Sequence, residues 1–171
     1  MANIGIFYGT CGGTTKIVAD ALQEAFDIDD SDAINIEEDF DELEQFEQYD
    51  VLFLGSSTWG QGDVQYGWVD ILLELDESDM DLSGKKVAFF GAGDAKKHGE
   101  HFCSALGKLY KSFTAKGAKA IGFVDASEYD FEGSLALIGD KFCGLAIDEH
   151  NESDKTGDRI ESWIEGLGKE I

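Results

Sequence analysis

Six consecutive residues carry the first chemical signal: Thr10, Cys11, Gly12, Gly13, Thr14 and Thr15. They follow an apolar run and precede Ile17, Val18, Ala21, Leu22 and Ala25, whose spacing is helical, so the stretch reads as buried strand, tight loop and helix. A glycine loop can turn its backbone N–H groups inward, and a helix start adds unpaired donors with partial positive charge. With threonine hydroxyls closing around them, these groups form a cradle for an anion such as phosphate. The same residues also suit a plain glycine turn in which Thr10 or Thr14 caps the helix. Two other loops stand out. Ser57, Thr58, Trp59, Gly60, Gln61, Gly62 and Asp63 set a large rigid aromatic among glycines and hydroxyls, and residues 91–99 bring Ala92, Gly93 and Asp94 together with Lys96, Lys97 and His98. His98 and His101 are three apart, but no carboxylate or thiol pattern completes a metal site around them. Cys11, Cys103 and Cys143 are odd in number, far apart and without a C-x-x-C pair. That spacing argues against a disulfide framework, an iron–sulfur cluster or structural zinc, and free thiols serving as packing residues are expected.

Each of these loops has to be held by something. Residues 49–56 and 86–90 are near-continuous apolar runs that stop at glycine or polar residues, the pattern of central parallel strands with functional loops at their carboxyl ends. Residues 33–36 read as a short strand, and residues 37–48 read as a short surface helix with Phe40, Leu43 and Phe46 along its inner edge. Val69, Ile71, Leu72, Leu73 and Leu75 mark a second long helix, and Phe102, Ala105, Leu106, Leu109, Tyr110 and Phe113 a third. A last strand begins over residues 119–124, gives way to a polar and aromatic excursion over 125–141, and resumes over 142–147. Residues 156–167 close the chain as an amphipathic helix. Strand and helix alternate about five times, which predicts an α/β fold with a doubly wound parallel sheet in one domain over residues 1–171. Ligands of such sheets sit at the carboxyl ends of the strands, where all three loops converge.

The composition bounds the partners. With 36 acidic and 13 basic side chains, the formal net charge is −23, which makes nucleic acid and anionic membrane poor partners. A basic protein would be steered to such a surface at low salt. Solubility alone, or a salt-adapted cytoplasm, would explain the same charge. No apolar run approaches a membrane span and no targeting segment precedes the first strand, so a cytoplasmic protein is expected.

Several residue groups together resemble the flavodoxins over residues 4–163. They are Phe7-Tyr8-Gly9-Thr10 with Gly13 and Thr15; Asp50-Val51-Leu52-Phe53-Leu54-Gly55 leading to Thr58-Trp59; Gly84-Lys85-Lys86-Val87-Ala88 leading to Phe90-Gly91 and Gly93-Asp94; and Gly144-Leu145-Ala146-Ile147-Asp148-Glu149 with Asn151. The excursion around Tyr129, Asp130 and Phe131 resembles the insertion in the last strand that marks the long-chain branch.

This resemblance implies a five-stranded sheet of order 2-1-3-4-5 with an interrupted last strand. It also implies one noncovalent FMN cycling between semiquinone and hydroquinone, and low-potential one-electron transfer between larger redox proteins. The implied partners are a basic reductase of the flavodoxin/ferredoxin type as donor and a low-potential acceptor, met by a monomer through its acidic surface. By the same resemblance, Thr10, Cys11, Gly12, Gly13, Thr14 and Thr15 hold the phosphate. Ser57, Thr58, Trp59, Gly60 and Gly62 form the loop in which Trp59 covers one flavin face and the Gly60 peptide turns over on reduction. Ala92, Gly93, Asp94 and His98 form the other flanking loop. Two departures stand out: Gly12 replaces a hydroxyl residue, and His98 occupies the place of a tyrosine, where it either stacks on the flavin or swings away. An FMN quinone reductase of the same fold, taking hydride from a nicotinamide, is the competing reading; it needs a site for the nucleotide phosphates, and a charge of −23 with no arginine cluster speaks against one. A receiver-type signalling module shares the strand order, but Tyr8-Gly9-Thr10 and Gly55-Ser56-Ser57 stand where it needs acidic residues.

Overall fold

Successive strand residues point to opposite faces of a sheet, and the apolar runs of this chain are buried on both. Phe7, Leu52, Leu54, Val87 and Phe89 join one core, whereas Ile6, Tyr8, Val51, Phe53, Ala88 and Phe90 join the other. The computed structural model describes residues 3–10 and 12–171. In chain order the elements are β1 (Ile4–Gly9), α1 (Thr14–Ala25), β2 (Ala33–Asn35), β3 (Val51–Ser56), β4 (Thr58–Trp59), β5 (Asp63–Val64), α2 (Gly67–Glu77), β6 (Lys86–Ala92), α3 (Ser104–Ala115), β7 (Lys119–Ile121), β8 (Val124–Asp125), β9 (Leu137–Ile138), β10 (Lys141–Phe142), β11 (Gly144–Ile147) and α4 (Glu149–Glu170). No helix among the described residues is long and apolar enough to cross a membrane.

The main sheet runs β11-β6-β3-β1-β2, all parallel. The expected order is therefore present, with its fifth strand in two pieces: β7 pairs with residues 86–88 of β6 and β11 with residues 89–92. Trp68, Leu72, Leu106 and Phe113 from α2 and α3 cover one face. Val18 and Leu22 from α1, with Ile160, Trp163 and Leu167 from α4, cover the other.

Three element boundaries differ from the sequence expectation, each for a local reason. The last strand breaks earlier and resumes later than expected, because Gly122 takes a positive φ of 77° and turns the chain out. Val124 then pairs with Phe142 in a small antiparallel sheet of order β8-β10-β9 instead of extending the main one. The segment before β3 forms only a 3-10 turn over Leu43–Gln48, started by a reciprocal cap between Glu42 and Gln45. The last helix begins at Glu149, not residue 156: the Asp148 side chain caps it, and non-helical backbone at Glu152 separates a first polar turn from the amphipathic remainder.

Trp163 joins the insertion to the closing helix. It is 6% exposed, and its indole N–H donates to the Gly122 carbonyl at 2.8 Å, where the chain leaves the sheet. Trp163→Phe keeps most of the apolar packing and leaves that carbonyl without its donor. Urea unfolding followed by circular dichroism should show a loss of about 1–3 kcal/mol; a loss below about 0.5 kcal/mol would show that the indole bond does not hold the junction.

Candidate functional site

The loop between β1 and α1 has the geometry of an anion site. Gly12 and Gly13 take positive φ values of 79° and 88°, backbone that glycine adopts without steric cost, and open space lies where a Cβ would project. No side chain caps α1 at Gly13 and no acidic residue occupies its first turn. Its leading amides therefore lack the partners that helix starts ordinarily recruit from side chains. Among the described residues, the Thr10 and Thr15 hydroxyls are both buried without a hydrogen-bond partner. Lys16 turns away and pairs with Asp20 at 2.9 Å, so the donors facing the loop are neutral. Cys11, the remaining loop residue of the sequence expectation, lies outside the described residues.

The second loop folds as a hairpin of β4 and β5. The Gly62 amide donates to the Trp59 carbonyl at 3.0 Å, and φ is +48° at Gly60, so glycine stands where the turn requires a left-handed residue. The hairpin is tied at several points. The Ser57 amide donates to the Gly9 carbonyl at 3.3 Å, the Gln65 amide to Ser56 Oγ at 2.9 Å, and the Ala105 amide to Thr58 Oγ1 at 3.2 Å. Trp59 donates its indole N–H to Ser57 Oγ at 3.1 Å, which fixes the ring orientation while 50% of the residue stays exposed. This is a tryptophan held for contact, not one buried in a core.

The third loop is stapled from two directions. The Gly93 amide donates to the Ile147 carbonyl at 2.9 Å, and a Cβ on Gly93 would meet the Cys103 backbone nitrogen at 2.9 Å, so only glycine allows this approach. Asp94 Oδ1 accepts from the amides of Lys96 and Lys97 at 3.1 and 3.0 Å and from Asn151 Nδ2 at 2.8 Å. Burial raises the Asp94 carboxyl, but these donors outweigh it and leave the group below the ordinary carboxylate range. Asp148, 1% exposed, accepts from the Ala95 amide at 3.1 Å and from Asn151 Nδ2 at 2.9 Å. From the other side the insertion reaches in, as the amides of Glu132 and Gly133 both donate to the Gly99 carbonyl, at 2.9 and 2.8 Å. Cys103 and Cys143 are free and buried, and burial pushes both thiols up, so neither is poised as a nucleophile.

The three loops enclose a cavity of about 290 Å³ at the carboxyl ends of the strands. Of the expected site residues, Thr14, Ser57, Thr58, Trp59, Ala92, Gly93, Asp94 and His98 line it. Thr10, Gly12, Gly13 and Thr15 belong to the loop between β1 and α1, while Gly60 and Gly62 shape the hairpin and are not among the residues lining the cavity, Gly62 lying against Ser104 and His101. Lys97, Glu149 and His150 also line the cavity and were not among the expected residues. Glu149 and His150 come just after β11, separated from it by Asp148, so the rule that ligands gather at the carboxyl ends of strands, applied to the last strand as well, would have found them.

The comparisons with known proteins agree with this geometry. The family model described as flavodoxin matches residues 6–163. "Flavodoxin 1" of Azotobacter vinelandii is 48% identical over 171 residues, covering 100% of this chain and 98% of that protein. The flavodoxin of Nostoc sp. strain PCC 7120 is 39% identical over 168 residues, covering 98% of this chain and 96% of its own length. A crystal structure of Fusobacterium nucleatum flavodoxin bound to flavin mononucleotide superposes with a TM-score of 0.89 at 33% identity, covering 100% of this chain and 99% of that one. On sequence, length and architecture alike, the chain belongs to the flavodoxin family.

Proposed function

We propose that this chain, acting as one unit over residues 1–171, holds one noncovalent FMN and carries single electrons between larger redox proteins. In this reading the flavin cycles between its half-reduced and fully reduced forms, and the protein works as a cytoplasmic monomer. It is an electron-transfer protein, not an enzyme. The observation that carries the cofactor assignment is the pair of buried, partnerless hydroxyls of Thr10 and Thr15 beside the uncapped start of α1. Buried polar groups are ordinarily hydrogen-bonded, and orphaned donors around an open glycine turn fit a phosphate ester. Trp59 and the loop of Ala92, Gly93, Asp94 and His98 line the same cavity of about 290 Å³, in which the exposed indole offers a surface for a flat aromatic ring. When bound, FMN supplies a ring that takes up electrons one at a time.

The residues then divide the work. The loop from Thr10 to Thr15 binds the phosphate with neutral donors, so affinity depends on hydrogen-bond geometry and not on a cation. Trp59, held by Ser57, excludes water from one ring face. The staple of Asp94, Asn151 and Asp148 fixes the loop on the other side. For docking, the chain offers a surface whose acids are mostly without cations: among the described residues, ion pairs engage Asp20, Asp63 and Glu152 and no other carboxylate. Basic redox partners fit such a surface, whether a reductase of the flavodoxin/ferredoxin type or a low-potential acceptor. The competing quinone reductase finds less support. Among the described residues Lys97 is the one lysine in the cavity wall, and the chain's single arginine, Arg159, is held by Glu152 and lies 3.9 Å over the Tyr129 ring.

The replacement of a hydroxyl residue by Gly12 takes on a different meaning at this φ. A threonine here would regain a charge-assisted hydrogen bond of about 1.5–3 kcal/mol but would sit in left-handed backbone at a cost of about 1–2 kcal/mol. The two nearly cancel.

Dithionite titration of the purified protein, followed by absorbance, tests the carrier directly. The expected course is yellow to blue to colourless, and a protein isolated without flavin that takes up none would reject the assignment. Thr15→Val tests the phosphate loop by two readouts. FMN affinity should weaken about tenfold to a hundredfold for a lost charge-assisted bond, while the urea stability of the flavin-free protein stays the same or rises, because the hydroxyl has no partner there. Unchanged FMN affinity, or a loss of stability without flavin, would assign Thr15 a structural role.

A further inference from the structure

Helix α2 has two apolar faces. Trp68, Ile71, Leu72 and Leu75 are buried against the sheet, while Tyr66, Val69 and Leu73 project outward and are 67%, 44% and 57% exposed. Among the described residues, eight large apolar side chains are left exposed, and four of them cluster here: Trp59, Tyr66, Val69 and Leu73. Scattered apolar residues need no explanation, but a contiguous patch does. Together with the edge of α3 they line a groove of about 950 Å³, floored by Val64, Leu72 and Ser112. Trp59 lines both this groove and the cofactor cavity, so an occupant of the groove lies one side chain from the cofactor.

We propose that the groove between α2 and α3 is the docking site of a redox partner that presents an amphipathic segment, apolar along one side and flanked by lysine or arginine. The inference rests on the carrier function proposed above and adds the place and chemistry of docking. Charge selects the occupant. Asp63 and Asp76 line the groove against Lys108 and Lys111 on the α3 wall, Lys108 is already paired with Asp63 at 3.2 Å, and Asp70, Glu74 and Glu77 add further exposed acids along α2. The acids are in excess, so a segment with basic flanks is attracted. A second copy of this chain, at −23, is repelled. Val69 and Leu73 lie one turn apart, a spacing that an apolar helix face can match.

The test uses isotope-labelled, FMN-loaded protein and a designed leucine/lysine amphipathic peptide of about 14 residues, four helical turns, with a leucine/glutamate counterpart as control. NMR titration should move the amides around Val64, Val69, Leu73 and Lys111, and the glutamate peptide should bind at least about tenfold more weakly. Leu73→Asn, or Val69→Asn, should weaken the lysine peptide about tenfold, the loss of one buried aliphatic contact, while the flavin absorbance stays unchanged. Shifts spread over the whole acidic surface, indifference to both variants, or equal binding of the two peptides would overturn the proposal. Concentration-dependent shifts at the same amides without peptide would assign the groove to a second copy instead. Reduction of ferricytochrome c by the dithionite-reduced protein separates the two readings: reduction without groove binding rejects the groove alone, and groove binding without reduction rejects the carrier.

Discussion

On the function proposed above, a dianionic phosphate has to be held by a chain of net charge −23, and among the described residues nothing in the proposed phosphate loop is positively charged once Lys16 pairs with Asp20. What remains are backbone amides at an uncapped helix start and two buried hydroxyls. Such donors work only when they are aimed, since a neutral hydrogen bond loses most of its value when misaligned. The rest of the structure can be understood as what aims them. β1 is paired with β3 over its whole length and with β2 over residues 6–8, which fixes where Gly9 ends and the loop begins. Val18 and Leu22 lock α1 onto the sheet, which fixes where its amides point.

The flanking loops obey the same logic with different means. The hairpin after β3 is short and closed by its own turn, and three bonds from Ser57, Gln65 and Ala105 tie it to β1, β3 and α3. The loop after β6 is longer and has no hairpin to stiffen it, so its order comes from outside: the carboxylates of Asp94 and Asp148 gather its amides, and the insertion between β7 and β11 holds Gly99. The insertion thus contributes to the site without lining it. It is anchored in turn by Tyr129, whose hydroxyl donates to the Ala146 carbonyl at 2.7 Å, and by Trp163 at Gly122.

Much of this was legible in the sequence because the central strands are buried on both faces and read as unbroken apolar runs ending in glycine. β3 and β6 and the loops after them could hardly be missed. The insertion was visible only as an interruption, since strands of two residues such as β8, β9 and β10 carry no periodicity to detect. The first turn of α4 was missed because Glu149 to Asp154 supply caps and charges but no apolar rhythm. The cavity residues Lys97, Glu149 and His150 were missed for a similar reason, since single polar side chains acquire meaning only when distant loops meet. Val69 and Leu73 show the opposite limit. Their helical spacing was read correctly as helix, but a pattern with two apolar faces does not say which face the sheet takes, and packing gave that place to Trp68, Ile71, Leu72 and Leu75.

Acidity acts on both halves of the function, and in opposite senses. The uncompensated carboxylates repel the cofactor phosphate at long range and attract a basic partner, and both effects weaken as salt shortens the screening length toward about 8 Å at physiological ionic strength. In the proposed reading the phosphate is then held by short-range bonds that salt barely touches, and retention would depend on the aimed donors of the loop. In the proposed docking, the field sets the speed and the apolar contact sets the specificity. A carrier must release its partner after each electron while keeping its cofactor throughout. Placing the neutral, directional interactions at the phosphate and the screened, long-range ones at the surface lets one chain do both.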